Sequence, residues 1–344
     1  MRLPLVLRVL LWPASVVFEG LVRLRVRLYE QGVFRRRRMA CKVISVGNLT
    51  VGGTGKTPMV LWLAERLVAE GKRVGILTRG YRGAESHEAR GSLLSDEVAL
   101  LRARLRAKVQ FGIGADRYAK GLMLAGHGVE WFVLDDGFQH LQLARDVDIV
   151  LIDATDPFGG GHLLPTGRLR EPRSALARAD VVVITRSEHA PAVEAVIRRH
   201  TAAPVFYAQT RLKALSALPA EGEQGKPAPA DWRALKFFAF CGIGNPAAFF
   251  DDLQRWGVHV VGTAAYRDHY RYAQRDAQKL EQRAEAAGAQ ALLCTEKDVF
   301  NLRHARFRNR PVYYCQIALE LSDEERFWRT VLDAAERNRP RAAP

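Results

Sequence analysis

Two patterns of apolar and polar positions alternate along most of the chain. Short runs rich in β-branched residues, typical of buried strands, are separated by stretches in which apolar residues recur at helical spacing. The first group of runs that predict strands is 43–46, 73–77, 109–113, 130–134, 148–152, 181–184 and 205–207. This alternation predicts an α/β fold with a mainly parallel sheet and helices on both faces. Because ligands of such sheets bind at the carboxyl ends of the strands, the residues that follow each strand are the candidates for chemistry.

The composition changes between residues 214 and 231, where Ala, Pro, Gly, Glu and Gln predominate. This predicts a linker or a long exposed connection, which we place at 214–232. Beyond it, further strands are predicted at 237–241, 258–261, 291–294 and 312–315, and helices at 246–256 and 272–287. The chain is therefore predicted to have a core domain over 41–213 and a smaller C-terminal α/β domain over 233–344.

The first forty residues follow neither pattern. Residues 3–18 are strongly apolar but contain Arg8 and Pro13. The longest uncharged run is too short to cross a bilayer, which needs about 20 residues. Basic residues follow this segment, at Arg23, Arg25, Arg27 and 35–38. A secretory signal would carry its charges before the apolar run, so we predict instead that 1–40 forms an amphipathic helix in the interface of an anionic membrane. A helix packed on the protein's own core, with a solvated basic face, is the alternative.

Composition narrows the classes of partner. The 344 residues are 48% hydrophobic, enough for a buried core, and carry a formal net charge of +15. This charge predicts an anionic partner: a phospholipid surface, a phosphorylated substrate or nucleic acid. The chain has no recognised nucleic-acid-binding module, so a nucleic-acid partner is not expected. The four cysteines include no Cys-x-x-Cys pair, which predicts neither a zinc site nor a disulfide framework and favours a reducing, cytoplasmic setting.

A glycine-dense segment, 45–58, joins the first predicted strand to an amphipathic helical run. Its glycines allow the backbone to approach a polyphosphate, while Lys56 supplies a positive charge and Thr57 a hydroxyl for Mg²⁺. Thr50 stands where the strict phosphate-loop motif has glycine, so the first turn must differ in detail. The segment predicts a P-loop NTPase-like fold and a nucleoside triphosphate site formed by Thr50, Val51, Gly52, Gly53, Thr54, Gly55, Lys56 and Thr57. A glycine-rich turn without a ligand is the alternative.

Two adjacent acids, Asp135 and Asp136, follow the predicted strand 130–134. A carboxylate at the end of a strand near a phosphate loop binds Mg²⁺ directly or through water. The sequence therefore predicts a magnesium site formed by Thr57, Asp135 and Asp136. A pair of turn-forming Asp residues before Gly137 is the alternative.

Two further loops after strands carry arginines suited to phosphate oxygens. They are 78–82 and 159–172. The substrate contacts that we predict in these loops are Arg79, Tyr81, Arg168, Arg170 and Glu171. Solvated loops with ordinary turn glycines are the alternative.

Asp96 and His269 have plain structural interpretations when each is considered alone. Asp96 precedes a helical run, where a carboxylate is most often a cap or a first-turn acid. A lone histidine such as His269 is usually part of a satisfied polar turn. Proximity of the two side chains would favour a functional interpretation of both.

The ordered set of motifs resembles the tetraacyldisaccharide 4′-kinase family, the membrane-associated enzymes of lipid A biosynthesis. The resemblance covers nearly the whole chain, and the family shares Thr50 in place of the first loop glycine. The segments that carry it are 46–57, 78–81, 96–97, 135–140, 164–172, 240–246, 268–270 and 295–298.

The resemblance implies that the γ-phosphate of ATP, with Mg²⁺, is transferred to the 4′-hydroxyl of tetraacyldisaccharide 1-phosphate, giving lipid IVA. It implies that Asp96 acts as the base for the acceptor hydroxyl, assisted by His269 from the C-terminal domain, while Lys56 acts on the phosphates. It also implies a peripheral location on the cytoplasmic face of the bacterial inner membrane.

A membrane-recruited partitioning-type ATPase is a second hypothesis from a different class. Such proteins also combine a Gly-Gly-x-Gly-Lys-Thr loop with an amphipathic membrane segment. They carry a signature lysine directly before the paired glycines, where this chain has Val51.

Overall fold

The computed structural model describes residues 5–80, 95–219 and 225–338. The helices are α1 (Leu5–Glu30), α2 (Lys56–Ala69), α3 (Asp96–Leu105), α4 (Arg117–Gly126), α5 (Pro191–Arg198), α6 (Pro246–Arg255), α7 (Gln274–Ala286), α8 (Glu296–Asn301) and α9 (Glu324–Arg337). The strands are β1 (Lys42–Asn48), β2 (Val74–Thr78), β3 (Val109–Ile113), β4 (Trp131–Asp135), β5 (Val147–Asp153), β6 (Val181–Thr185), β7 (Val205–Ala217), β8 (Phe237–Cys241), β9 (Val260–Ala265), β10 (Ala291–Thr295) and β11 (Val312–Leu321).

The chain divides into two compact units. The first contains residues 1–93, 105–209 and 320–344, and the second contains 94–104 and 210–319. Relative to the predicted domains, residues 94–104 group with the C-terminal unit and residues 320–344 with the first. The predicted boundaries at 41–213, 214–232 and 233–344 stay a prediction about independently folding domains.

The sheet of the first unit has the strand order β3-β2-β4-β1-β5-β6-β7 and its pairs are parallel. The central strand, β1, is buried along nearly its whole length, including Ile44 and Val46 at 0% exposure. Burial on both faces explains why the adjacent residues Val43 and Ile44 are both apolar and buried, instead of alternating between apolar and polar. β1 lies between β4 and β5, where the chain order reverses, and this is the position at which open parallel sheets bind ligands.

The strands of the second unit follow the order β11-β10-β8-β9, again in parallel. One face of this sheet packs Phe240 and Leu292 against Leu280 of α7. The other face packs Phe237 and Leu293 against α6. The predicted smaller α/β unit with four strands is confirmed, although the strand predicted at 258–261 is β9, which spans Val260–Ala265.

The predicted end of the seventh strand at residue 207 is wrong. β7 continues to Ala217 and so includes the first four residues of the predicted linker. At its end, the N–H of Ala217 donates to the carbonyl of Lys226 at 2.7 Å. Buried and partly exposed positions alternate irregularly along this strand, so its sequence lacks the clean apolar run of the other core strands.

The N-terminal segment is helical, as predicted, and α1 continues through Pro13 to Glu30. One side of α1 contacts the first unit through Ser15, whose hydroxyl lies 2.7 Å from that of Thr166. Within the described ranges, no helix has the combination of length and apolarity that crossing a membrane requires.

Candidate active site

The phosphate loop connects β1 to α2 at the carboxyl edge of the first sheet. Gly52 and Gly55 have φ values of 126° and 87°, a region that L-residues with side chains avoid. A Cβ on Gly52 would lie 2.4 Å from a guanidinium nitrogen of Arg168. Gly55 is also the N-terminal cap of α2 and provides no side-chain acceptor. The first amides of α2 are therefore left for an anion, the arrangement that favours phosphate at a helix N-terminus.

Side chains from neighbouring strands hold the phosphate loop in shape. The Asn48 side-chain amide donates to the carbonyl of Thr50 at 2.8 Å and accepts from Lys56 at 3.2 Å. From β6, the Thr185 hydroxyl donates to the carbonyl of Thr54 at 3.1 Å. The hydroxyl of Thr54 itself is buried without a hydrogen-bond partner. A buried, unsatisfied hydroxyl is costly, so an added acceptor in the loop would stabilise it.

Asp136 joins the phosphate loop to the acidic strand end. Its carboxylate lies 3.4 Å from Lys56 Nζ and 2.8 Å from a guanidinium nitrogen of Arg170. Burial alone would raise the pKa of Asp136, but the charges of Lys56 and Arg170 outweigh it and lower the pKa below its ordinary value. The φ of Asp136 is 50°, one of the strained backbone positions that cluster at functional sites. The lowered pKa favours the ionised form of Asp136 beside Lys56.

The other two predicted magnesium ligands are buried oxygen donors of the first unit. Asp135 ends β4 and accepts a hydrogen bond from the Thr78 hydroxyl at 3.3 Å. Thr57 lies in the first turn of α2 and is 8% exposed. In the described part of the chain, no group of three or more His, Cys, Asp or Glu side chains could hold a metal ion. Hydroxyl and carboxylate oxygens nevertheless suit Mg²⁺, which typically binds one or two carboxylates together with substrate phosphates and waters.

The predicted substrate residues have different surroundings. Arg168 donates two hydrogen bonds to the Val51 carbonyl, at 2.8 and 3.0 Å, and pairs with Asp156 at 2.8 Å, so it braces the phosphate loop. Glu171 is buried and pairs with Arg178 at 2.9 Å. Arg79 is exposed just after β2. Tyr81 lies outside the described residues. Their roles toward substrate stay predictions.

Asp96 and His269 are brought together in the second unit, although the sequence analysis assigned them to different domains. His269 Nδ1 donates to the two Asp96 carboxylate oxygens at 2.9 and 3.0 Å. Asp96 is 6% exposed. The capping of α3 falls to Ser95, whose hydroxyl accepts from the Val98 N–H at 3.3 Å. Asp96 itself lies in the first turn of α3, where its Oδ1 accepts from the Glu97 N–H at 2.9 Å, so the interpretation of Asp96 as a first-turn acid is confirmed. The proximity to His269 that favours a functional interpretation is present as well.

Asp96 and His269 each favour the charged form of the other. Burial alone would raise the pKa of Asp96, but the hydrogen bond from His269 and the charge of Lys297 lower it below its ordinary value. The hydrogen bond to Asp96 raises the pKa of His269 against the opposing effect of burial. Asp96 is therefore an ionised carboxylate with an oriented proton donor, an arrangement able to accept a proton from a substrate hydroxyl.

Sequence reasoning did not single out two residues of the 135–140 motif, Gln139 and His140. The Gln139 amide donates to the carbonyl of Asn48 at 2.9 Å. His140 Nδ1 accepts from Arg117 at 3.3 Å, and burial together with the charges of Arg117 and Arg145 lowers the pKa of His140 to about 4. Gln139 and His140 fall inside the motif at 135–140, which is a usable signal. Nothing local distinguishes Arg117 from the many other arginines.

A parallel sheet with a phosphate loop at its switch point, and an acidic pair at the neighbouring strand end, defines a P-loop NTPase-like protein. Residues 7–336 match the family described as "LpxK: Tetraacyldisaccharide-1-P 4'-kinase". The chain belongs to this family.

Relatives and a solved structure agree with this assignment. The tetraacyldisaccharide 4'-kinase of Geobacter metallireducens is 40% identical over 324 residues, covering 90% of this chain and 93% of the relative. That of Geobacter sulfurreducens is 41% identical over 321 residues, covering 89% and 87%. A crystal structure of LpxK from Aquifex aeolicus, described as an "apo" form in complex with ATP, is 32% identical with a TM-score of 0.72 and covers 95% of this chain and 99% of that one. The partitioning-type ATPase hypothesis is not favoured.

Proposed function

We propose that the chain transfers the γ-phosphate of ATP to the 4′-hydroxyl of tetraacyldisaccharide 1-phosphate, giving lipid IVA for lipid A biosynthesis. The observation that carries the proposal is the phosphate loop with Lys56 paired to the ionised Asp136, in a chain of this family. The acceptor is inferred from the name of its relatives, tetraacyldisaccharide 4'-kinase. ATP as the phosphate donor is supported by the ATP complex of the Aquifex aeolicus protein.

The residues of the phosphate loop bind and orient the triphosphate. The uncapped amides at the start of α2 and the ammonium of Lys56 would stabilise the negative charge that develops on the phosphate oxygens during transfer. Phosphoryl transfer needs little covalent help from the protein, so positioning and charge neutralisation supply most of its catalysis. Arg170 holds Asp136 beside Lys56, and Thr54 through Thr57 form the cradle.

Thr57, Asp135 and Asp136 are the residues that would hold Mg²⁺. When bound, the ion would neutralise charge on the phosphate oxygens. The lowered pKa of Asp136 keeps one of these carboxylates ionised for that purpose.

The Asp96 carboxylate would accept the proton of the acceptor hydroxyl. His269 donates to it through Nδ1 and holds its orientation. General-base catalysis of this kind contributes a factor of about 10² to 10⁴ in rate. Removal of either partner should therefore slow transfer while leaving ATP binding intact.

The test measures lipid phosphorylation and ATP affinity in parallel for Asp96→Ala, His269→Ala and Lys56→Ala. Asp96→Ala and His269→Ala should lower kcat by about 10²-fold or more and leave the affinity for ATP unchanged. Lys56→Ala should instead lower the affinity for ATP. His259→Ala, at an exposed histidine of the second unit, is the matched control. Wild-type turnover in both Asp96→Ala and His269→Ala would reject the assigned base.

We propose further that α1 binds the anionic surface of the inner membrane from the cytoplasmic side as a peripheral anchor. Ser15 and Tyr29 are buried, at 7% and 8% exposure. A stripe on another side of α1 is left apolar and open to solvent: Leu10, Val17, Leu21 and Leu24 are 71, 63, 60 and 53% exposed. This stripe is flanked by arginines, which suits anionic lipid.

Vesicle flotation tests this anchor. The double variant Leu10→Glu/Val17→Glu should lose flotation with vesicles that contain anionic lipid, because it places charges in the apolar stripe. Leu122→Glu, at a 47% exposed leucine of α4, is the control and should float like the wild type. Equal flotation of all three proteins would refute the anchor.

A further inference from the structure

The spacing of the residues in the motif at 295–298 does not indicate a particular reaction. The last residue of the motif, Asp298, nevertheless has a fully buried carboxylate. Asp298 is 0% exposed and lies in α8. Its Oδ2 accepts from the hydroxyl and the N–H of Thr295, at 2.5 and 3.3 Å. Its Oδ1 accepts from the Gly242 N–H at 2.8 Å and from the Tyr272 hydroxyl at 2.9 Å. Four donors therefore converge on one carboxylate that solvent does not reach.

Two of these donors come from residues next to His269: Gly242 is hydrogen-bonded to its backbone, and Tyr272 follows it by three positions in the chain. The N–H of His269 donates to the carbonyl of Gly242 at 3.0 Å, so Asp298 and His269 hold opposite sides of the same residue. His269 has a φ of 57°, a strained conformation that persists only where the surroundings enforce it. Gly242 is also tightly enclosed, since a Cβ there would lie 3.0 Å from Tyr270 Cβ.

The same short helix contacts the element that carries Asp96. Lys297 pairs with Glu97 at 2.6 Å, and the Asn301 amide donates to Asp96 Oδ2 at 3.4 Å. Glu296 pairs with Arg104 near the other end of α3, at 2.8 Å. Both Glu296 and Arg104 are largely buried. α8 therefore contacts α3 at both ends of that helix.

We infer that Asp298 is a positioning residue, which holds His269 against Asp96 through Gly242 and Tyr272. This inference rests on the proposed function for its effect on catalysis, but the geometry it describes can be measured separately. An amide at position 298 keeps one acceptor oxygen and adds an N–H₂ group that faces donors. It would leave buried donors unpaired and shift the Gly242 turn.

The protonation of His269 reports this geometry. The acids that face the His269 imidazole are Asp96, Glu97 and Asp268. The Asp268 carboxylate lies 3.8 Å from Nε2 of His269. The hydrogen bond to Asp96 is the largest cause of the raised pKa of His269. Displacement of His269 from Asp96 should therefore bring this pKa down toward its ordinary value of 6.5.

The experiment compares Asp298→Asn, Tyr272→Phe and Glu281→Gln in the full chain. Glu281 is the matched control, because it is a buried carboxylate of the same unit that accepts two backbone N–H groups at 2.7 Å. Tyr272→Phe removes one hydroxyl and keeps the ring, so it serves if Asp298→Asn fails to fold. Readouts are the His269 pKa from NMR titration and kcat with the ATP KM for lipid phosphorylation.

We expect Asp298→Asn to lower the His269 pKa and to reduce kcat about tenfold or more with an unchanged ATP KM. Tyr272→Phe should change both quantities in the same direction by a smaller factor, and Glu281→Gln should change neither. Folded Asp298→Asn and Tyr272→Phe proteins with the wild-type His269 pKa would overturn the inference. If Asp96→Ala leaves turnover intact, the proposed base fails, whereas the NMR comparison still decides whether Asp298 positions His269.

Discussion

At the scale of single residues, two predicted site residues share an unusual backbone. Among the residues described, four non-glycine positions have positive φ, and Asp136 and His269 are two of them. Sequence reasoning identified Asp136 because it follows a buried strand near a phosphate loop. It left Asp96 and His269 ambiguous, because 173 positions separate them and only the fold brings them together.

The Asp96–His269 pair predicts a pH dependence of stability. His269 has a raised pKa, so its contribution is fully present below its ordinary value of 6.5 and is lost as pH rises through the folded-state pKa. Asp96 has a lowered pKa, so its contribution is present above 3.8 and is lost only as pH falls through the folded-state pKa.

Urea unfolding of wild type and His269→Asn measures this dependence. The stability advantage of the wild type should be largest near about pH 6 and should shrink by about pH 9. His259→Asn, at an exposed histidine, is the control and should show no such trend. A His269→Asn difference that is constant over this range would contradict the ion pair.

At the scale of elements, most bounds follow from apolar runs. The predicted strands 109–113 and 237–241 coincide with β3 and β8. These strands are bounded by clear changes in polarity. β7 departs from its prediction because Arg211 and Lys213 lie on its exposed positions and hide the continuation of the strand. Sequence periodicity therefore predicts strands of the core better than their extensions.

The phosphate loop as an element gives a second prediction. Gly55→Ala places a side chain at φ 87°, although its Cβ would have ordinary contacts, the nearest at 3.5 Å. The backbone strain should lower the free energy of unfolding by about 1–2 kcal/mol. Gly53→Ala is the control, because its Cβ would meet nothing within 4 Å and its φ is not in the left-handed region. Thermal unfolding without added ligand should show a lower stability for Gly55→Ala than for Gly53→Ala. Equal stability of the two variants would show that the left-handed turn is not required.

At the scale of the whole molecule, each of the two units is made of segments that lie far apart in the sequence. Residues 94–104 group with the second unit, where Glu97 and Arg104 pair with Lys297 and Glu296. The C-terminal residues group with the first, where Phe327 packs edge-on against Trp62. Both groupings depend on contacts between residues far apart in sequence. Local composition, which motivated the linker at 214–232, carries no information about them.

The central claim is that a P-loop enzyme of this family phosphorylates a lipid disaccharide. The most direct measurement incubates purified protein with ATP and tetraacyldisaccharide 1-phosphate, then quantifies ADP and identifies the lipid product by mass spectrometry and ³¹P NMR. We predict one new phosphomonoester at the 4′ position for each ADP formed. ADP release without phosphorylated lipid, as expected of an ATPase, would contradict the account.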